Sequence, residues 1–231
     1  SNYILGLEVF KKYYHPSLVL NKNQSEFVEE IDEIAKKLGH RSAGKTLANK
    51  IYNLAKSTIS PRPDNEYSQL ACTSCIDILI LTIKTSDTII SEMDKLAREL
   101  PEYEIIKEFP GIGERLTCKI IAEVGDIRKF KNAGSLIAYA GLDAPPYQSG
   151  QFEAKIRHIS KRGNKYLRKI GYEIIRSITM VCSAGVELYD YVLKKQEEGK
   201  PKKVAKIAGL NKFLRMYYGR VKAIYKKLEE N

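Results

Sequence analysis

Apolar residues recur at heptad spacing along residues 68–100, and this pattern restricts the fold more than any other feature. Ile76, Leu79, Ile83, Ser86, Ile90, Met93, Ala97 and Leu100 fit the a and d positions of about four repeats. A helix of that length cannot bury its stripe alone, so it needs a partner helix from this chain or from a second copy. Pro101 ends it, because proline has no amide proton to continue the ladder. The flanks are helical as well. Phe27, Ile31, Ile34, Ala35 and Leu38 fall at three-to-four spacing before Gly39, and Leu47, Ile51, Leu54 and Ala55 repeat the pattern. Pro61, Pro63 and Asp64-Asn65 mark a loop from Ser57 to Tyr67. After Pro101 a compact helical unit is expected, with a Gly/Pro-rich centre from Gly141 to Gly150. Two further stripes follow, Val204 to Tyr218 and Val221 to Leu228. The reading is an all-α chain in three parts: a helical linker region (1–66), a long dimerising helix (67–101) and a C-terminal domain (102–231).

The charge is unevenly placed. The chain carries 39 Lys+Arg against 28 Asp+Glu, a net of +11. Residues 1–150 hold 19 basic and 20 acidic side chains, and residues 151–231 hold 20 and 8. The whole surplus therefore sits in the last third. A concentrated basic segment attracts a polyanion, most often nucleic acid, and the competing reading is a solvated face with no partner. The longest apolar stretch, Ile76 to Ile83, is interrupted by Asp77 and Thr82. It falls far short of the roughly 18 residues of a membrane span. The N-terminus has no basic-then-apolar leader pattern, so a cytoplasmic location is expected.

Two patterns invite over-reading. Cys72 and Cys75 form a CxxC, but no second pair completes a zinc site. Both are expected to be small core residues of a helix in a reducing compartment. Gly39-His40-Arg41-Ser42-Ala43-Gly44-Lys45-Thr46 matches the phosphate-loop pattern. That loop works between a buried strand and a helix, whereas residues 29–38 have helical period and heavy charge. A turn between two helices explains it.

Two other motifs carry chemistry. Ile105 to Gly113 ends in Phe109-Pro110-Gly111-Ile112-Gly113, and Leu116, Ile120, Ile121 and Val124 follow before Gly125. Two short helices around a Pro-Gly-Ile-Gly turn resemble a helix-hairpin-helix, whose glycines bring backbone amides close to phosphate. Gly111 and Gly113 form the turn, Ile112 plugs the core, and Arg115 and Lys119 are the nearby cations. The plain alternative is a helix–helix turn. Further on, Tyr147-Gln148-Ser149-Gly150 lies in a Pro-rich loop, and Ser160-Lys161-Arg162-Gly163-Asn164-Lys165-Tyr166-Leu167-Arg168 follows. Serine is a weak nucleophile that needs a base or nearby positive charge. Lys161, Arg162, Lys165 and Arg168 are placed to supply that charge to an attacked phosphate. Ser-Gly is also an ordinary turn, and none of His15, His40 and His158 shows a triad spacing.

Taken in order, these motifs resemble a known family. The hairpin, Ile121 to Ile127, Phe130-Lys131, Leu136 to Leu142, Tyr147 to Gly150 and Ser160 to Arg168 are similar to the C-terminal domain of the insertion-sequence one-hundred-ten family of transposases, related to Piv-type DNA invertases. The resemblance implies a site-specific DNA recombinase that cuts and rejoins DNA. By motif match Ser149 is the residue that attacks the DNA phosphate. It implies an N-terminal RNase-H-like domain with four magnesium-binding carboxylates, and no such sequence precedes Tyr3. The Mg2+ is therefore expected in that missing domain, with no cofactor in this chain, and recombination by this chain alone is not expected. Homodimers or tetramers through the 67–101 helix are implied, as is an RNA encoded by the element that bridges target and donor DNA. Two other readings stay open. One is a non-catalytic helix-hairpin-helix module that binds nucleic acid, and the other is an oligomerisation scaffold that binds no polyanion.

Overall fold

A computed structural model describes residues 2–40, 43–144, 148–149, 152–153 and 158–230, the two short strand segments by their backbone. The fold is all-α as expected. Its one extended feature among the described residues is a pairing of two residues with two. The chain divides into two compact units, Ser1–Asp87 and Thr88–Asn231, and the division falls inside the long helix. No helix of the described residues is long and apolar enough to cross a membrane.

The first unit holds α1 (Asn2–Lys12), α2 (Pro16–Leu20), α3 (Gln24–Lys37), α4 (Ala43–Ser57) and the start of α5 (Glu66–Ala97). Its core is Leu5, Val9, Tyr13, Val19, Phe27, Ile31, Ala35, Ala48, Tyr52 and Ala55. Asn23 starts α3 by accepting the Glu26 amide at 2.9 Å. Between α3 and α4, Gly39 turns the chain at φ +81°. Gly44 lets the two helices meet, since an added Cβ would lie 2.8 Å from Asp32 Cα and from Ala35 Cβ. The phosphate-loop pattern is thus a helix–helix turn with a helix, not a strand, before it. Arg41 and Ser42 of that pattern lie outside the described residues. His15 caps α2 through Nδ1, which accepts the Ser17 amide at 3.2 Å. Asp64 accepts the hydroxyls of Ser17 and Tyr14, both at 2.5 Å, and so ties the proline-rich loop to α2.

Glu30 joins α1 to α3. Its carboxylate takes the ammonium groups of Lys12 and Lys22 and accepts the Tyr13 hydroxyl at 2.6 Å. Burial alone would raise its pKa, but these three donors outweigh burial and hold it at about 2. A carboxyl depressed in the folded state stabilises above its unfolded pKa of about 4.3 and loses that contribution as pH falls towards the folded value. Melting of the wild-type chain is therefore expected to weaken between about pH 4.5 and 2, and Glu30→Gln is expected to flatten that slope. Equal slopes in the two proteins would show that Glu30 is not the group responsible.

On α5 the buried register differs in part from the heptad reading. Ile76, Ile80 and Ala97 are buried, whereas Leu79 and Leu100 are exposed. Leu79 and Ile80 both fall at helical spacing from Ile76 and Ile83, and the structure buries Ile80 and leaves Leu79 exposed. Cys75 is exposed and Cys72 half-buried, which corrects the expectation that both are core residues. Cys72 is four residues before Ile76 and follows the buried stripe, and Cys75 falls beside it. Leu70, Ile78, Leu81, Ile89 and Leu96 remain exposed along the helix.

The second unit holds the rest of α5 with α6 (Glu102–Lys107), α7 (Glu114–Val124), α8 (Ala133–Tyr139), α9 (Lys165–Val181), α10 (Glu187–Glu197) and α11 (Lys202–Glu229). Between α8 and α9, β1 (Gln148–Ser149) pairs antiparallel with β2 (Phe152–Glu153), Gln148 opposite Glu153 and Ser149 opposite Phe152. The two C-terminal stripes form one continuous helix, α11, rather than two. Gly219 between them meets nothing within 4 Å of an added Cβ. Its helix penalty of about 1 kcal/mol is offset by burial of Tyr217 and Val221 on either side. Through Leu210, Phe213, Leu214, Tyr217 and Val221, α11 supplies the middle of the core, packed on α6, α8, α9 and α10. Two glycines allow that approach. An added Cβ on Gly171 of α9 would lie 2.3 Å from Leu210 Cδ1, and one on Gly209 of α11 2.6 Å from Val192 Cγ2.

Candidate nucleic-acid interface

The segment that carries Ser149 is rooted at a backbone clamp. At its two ends Asp143 and Ser160 meet: the Ser160 amide donates to the Asp143 carbonyl at 2.7 Å, and its hydroxyl to Asp143 Oδ1 at 2.5 Å. The loop after Ser160 then lies along the end of α8. Lys161 donates its amide to Gly141 O at 3.0 Å, and Asn164 to Tyr139 O at 2.6 Å. Gly163 fits between them with no room for a side chain, because an added Cβ would lie 2.1 Å from the Tyr139 carbonyl oxygen. Lys161 itself sits at φ +56°, a left-handed backbone that disfavours a residue with a Cβ. The surrounding hydrogen bonds hold it there.

Asn164 then opens α9. Its Oδ1 accepts the amides of Tyr166 at 2.8 Å and Leu167 at 3.1 Å, while its Nδ2 donates to Glu123 Oε2 at 2.8 Å. This fixes the helix start against α7. The helix is sharply two-sided. Leu167, Gly171, Ile174, Ile175 and Ile178 are buried, and Lys165, Lys169 and Arg176 are exposed. Together with the first turns of α11 the exposed side forms an open cleft of about 800 Å³. Among the described residues its cations are Lys161, Lys165, Arg168, Lys169, Arg176 and Lys203, against one carboxylate, Glu173. His158 and Ile159, at the return of the Ser149 segment, line the same cleft.

The sequence-derived residues fall into two places. Lys161, Lys165 and Arg168 converge on the cleft. Arg168 has a second duty, since its Nη1 donates to the Ala140 carbonyl at 2.7 Å. Arg162 is exposed on the clamped loop and is not among the cleft residues. Ser149 lies in β1 by its backbone, and its side chain lies outside the described part. The hairpin residues are elsewhere. Gly111, at φ +83°, faces α9: an added Cβ would lie 3.2 Å from Ile178 Cα and 3.3 Å from Cys182 Sγ, and Ser177 donates its hydroxyl to Gly111 O at 2.6 Å. Ile112 is buried in the core as expected. Gly113 starts α7 and is exposed, Arg115 is exposed, and Lys119 is half-buried. The first turn of α7 carries Glu114, which pairs with Arg98 at 2.6 Å.

One helix therefore links the two motifs, the cleft on its N-terminal part and the hairpin on its C-terminal part. Sequence reasoning missed Lys169, Tyr172, Arg176 and Lys203. The first three were legible: from Lys165 they follow at helical steps of four, three and four along one face. Lys203 was not, because only the packing of α11 on α9 brings it there. Among the described residues no group of three or more His, Cys, Asp or Glu side chains is placed to hold a metal ion.

Comparison with known proteins gives the class first: the chain is similar to transposases of bacterial insertion elements. Residues 103–190, from α6 into α10, match the model of the Transposase IS116/IS110/IS902 family. An insertion element IS116 uncharacterized 44.8 kDa protein of Streptomyces clavuligerus is 32% identical over 67% of this chain and 38% of its own length. The transposase for insertion sequence element IS1111A of Coxiella burnetii is 33% identical over 34% of this chain and 21% of its own. A probable family 20 transposase of Pseudomonas aeruginosa is 28% identical over 47% and 32%. The chain thus spans well under half the length of these relatives.

Proposed function

We propose that this chain is the DNA-binding, C-terminal part of a transposase that cuts and rejoins DNA, with Ser149 as the nucleophile. One observation carries the reading: the Asp143–Ser160 clamp roots the Ser149 segment on the loop that delivers Lys161, Arg162 and Lys165. A nucleophile on a segment anchored at both ends has less conformational freedom to lose on attack.

The step balances as a phosphoryl transfer. Ser149 Oγ bonds to phosphorus as its proton passes to a base. The bond from phosphorus to one strand's oxygen breaks, and that oxygen takes a proton. The phosphoserine ester keeps the bond energy, and attack by a second strand end reverses the step. Charge on the phosphoryl oxygens is met by Lys161, Arg162, Lys165 and Arg168. The resemblance puts the magnesium-binding carboxylates in an N-terminal domain, and that domain would bring the Mg2+. In this reading Gly111 shapes the hairpin from within, while Gly113, Arg115 and Lys119 meet the DNA backbone without reading sequence. An element-encoded RNA is a further partner. The exposed apolar residues of α5 support a homodimer or tetramer, and a chromosomal substrate puts the protein in a prokaryotic cytoplasm.

The test is covalent capture. The chain, joined to an N-terminal carboxylate domain, is incubated with element-end DNA, the element's RNA and Mg2+, beside its Ser149→Ala version. A denaturation-resistant protein–DNA adduct that needs Ser149 is expected. Cleavage in both versions with no adduct would leave Ser149 a turn residue and the chain a non-catalytic binding module. Failure to bind DNA even at low salt would leave only the oligomerisation scaffold.

A further inference from the structure

We infer that the cleft between α9 and α11 takes an unpaired nucleotide of single-stranded DNA, its base on the apolar lining and its phosphates on the cationic lining. The inference rests on the DNA-binding reading above and adds which form of DNA this cleft holds. The apolar lining is Ile159, Val204, Ile207 and Tyr172, and the cationic lining comes from both helices, Lys165, Lys169 and Arg176 from α9 and Lys203 from α11. Lys206 stands 5.9 Å over the Tyr172 ring. A duplex offers a surface like this its phosphates alone, since its bases are stacked inside, and the apolar lining would then have no partner. An unpaired nucleotide offers both a base for the apolar lining and phosphates for the cationic lining. The cleft, about 800 Å³, lies within the range of small-ligand sites. The choice of DNA over RNA follows from the DNA-binding reading on which the inference rests. Two details place the cleft on the strand path. Its wall includes His158 and Ile159, where the Ser149 segment returns, and cutting followed by rejoining passes through an unpaired end.

Fluorescence polarisation of the full chain tests this, with labelled oligo-dT, an equal-length duplex and oligo-rU across a salt series. Tighter binding of oligo-dT than of either competitor is expected. Lys169→Gln with Arg176→Gln, both exposed and so without cost to folding, should reduce the slope of log K against log salt on oligo-dT by about 1.4, roughly 0.7 for each cation. Tyr172→Ala should weaken oligo-dT about tenfold and leave the duplex unchanged, and Tyr172→Phe should retain most of the affinity. Thermal melts of each variant check that the fold is kept. Equal or tighter duplex binding, or a Tyr172→Ala loss of the same size on duplex, overturns this inference and leaves the DNA-binding reading intact. Tighter oligo-rU overturns it in favour of RNA. If neither DNA form binds at low salt, both readings fall.

Discussion

Replacing Gly163 with alanine is expected to destabilise the second unit by about 3 kcal/mol or more and to lower its melting temperature by about 10 °C. The reason lies in what the new methyl group would meet. It would stand 2.1 Å from Tyr139 O, 2.5 Å from Gly141 N and 2.7 Å from Ala138 O. All three are backbone atoms at the end of α8, so no flexible side chain can give way. Relief requires the 160–164 loop to lift. That would break the Asn164–Tyr139 bond at 2.6 Å and the Lys161–Gly141 bond at 3.0 Å, and would release the cap of α9. The root of the Ser149 segment would move with it. Calorimetry and oligonucleotide binding should therefore both report the change. A variant that melts within a degree of wild type would mean that the loop does not seat on α8.

The second large effect is expected at Phe213. Its ring is fully buried, meets Phe109 edge-on at a centroid distance of 5.1 Å and stacks near Tyr217 at 6.2 Å. Truncation to alanine removes most of that volume from the meeting point of the hairpin and α11. The rigid helices around it cannot close the gap, so a loss of about 3–5 kcal/mol is expected. Phe213→Leu keeps more of the volume and should cost distinctly less. The effect should reach the hairpin, because Phe109 immediately precedes Pro110-Gly111 and is otherwise covered by Arg220, 4.5 Å over its ring. Denaturant melts that cannot tell Phe213→Ala from Phe213→Leu would show that this contact is not a packed one.

Much of this architecture is legible in the residues. Three-to-four spacing marks α3, α4, α7 and α9, and Gly39, Pro101 and Gly125 mark turns or ends where the structure has them. The basic surplus after residue 150 is legible as well. The α5 register was harder to read, because Ile76, Leu79, Ile80 and Ile83 are all apolar and periodicity alone does not rank Leu79 against Ile80. The two C-terminal stripes lie on one helix, with Gly219 between them. A single glycine costs a helix less than the burial on either side of it returns.

Composition and spacing by themselves determined an all-α chain, its main turns, and a cation-rich last third with a serine segment before it. These are properties of neighbours in sequence, set by side-chain periodicity and backbone stereochemistry. Tertiary structure alone decided that Gly111 turns inward against α9, that Gly163 is a packing residue at the end of α8, and that Lys203 joins Lys169 and Arg176 across a cleft. Each of these depends on which helix lies against which. Such approaches are governed by the fit of small residues such as Gly171 and Gly209 against Leu210 and Val192, distant partners that no local pattern encodes.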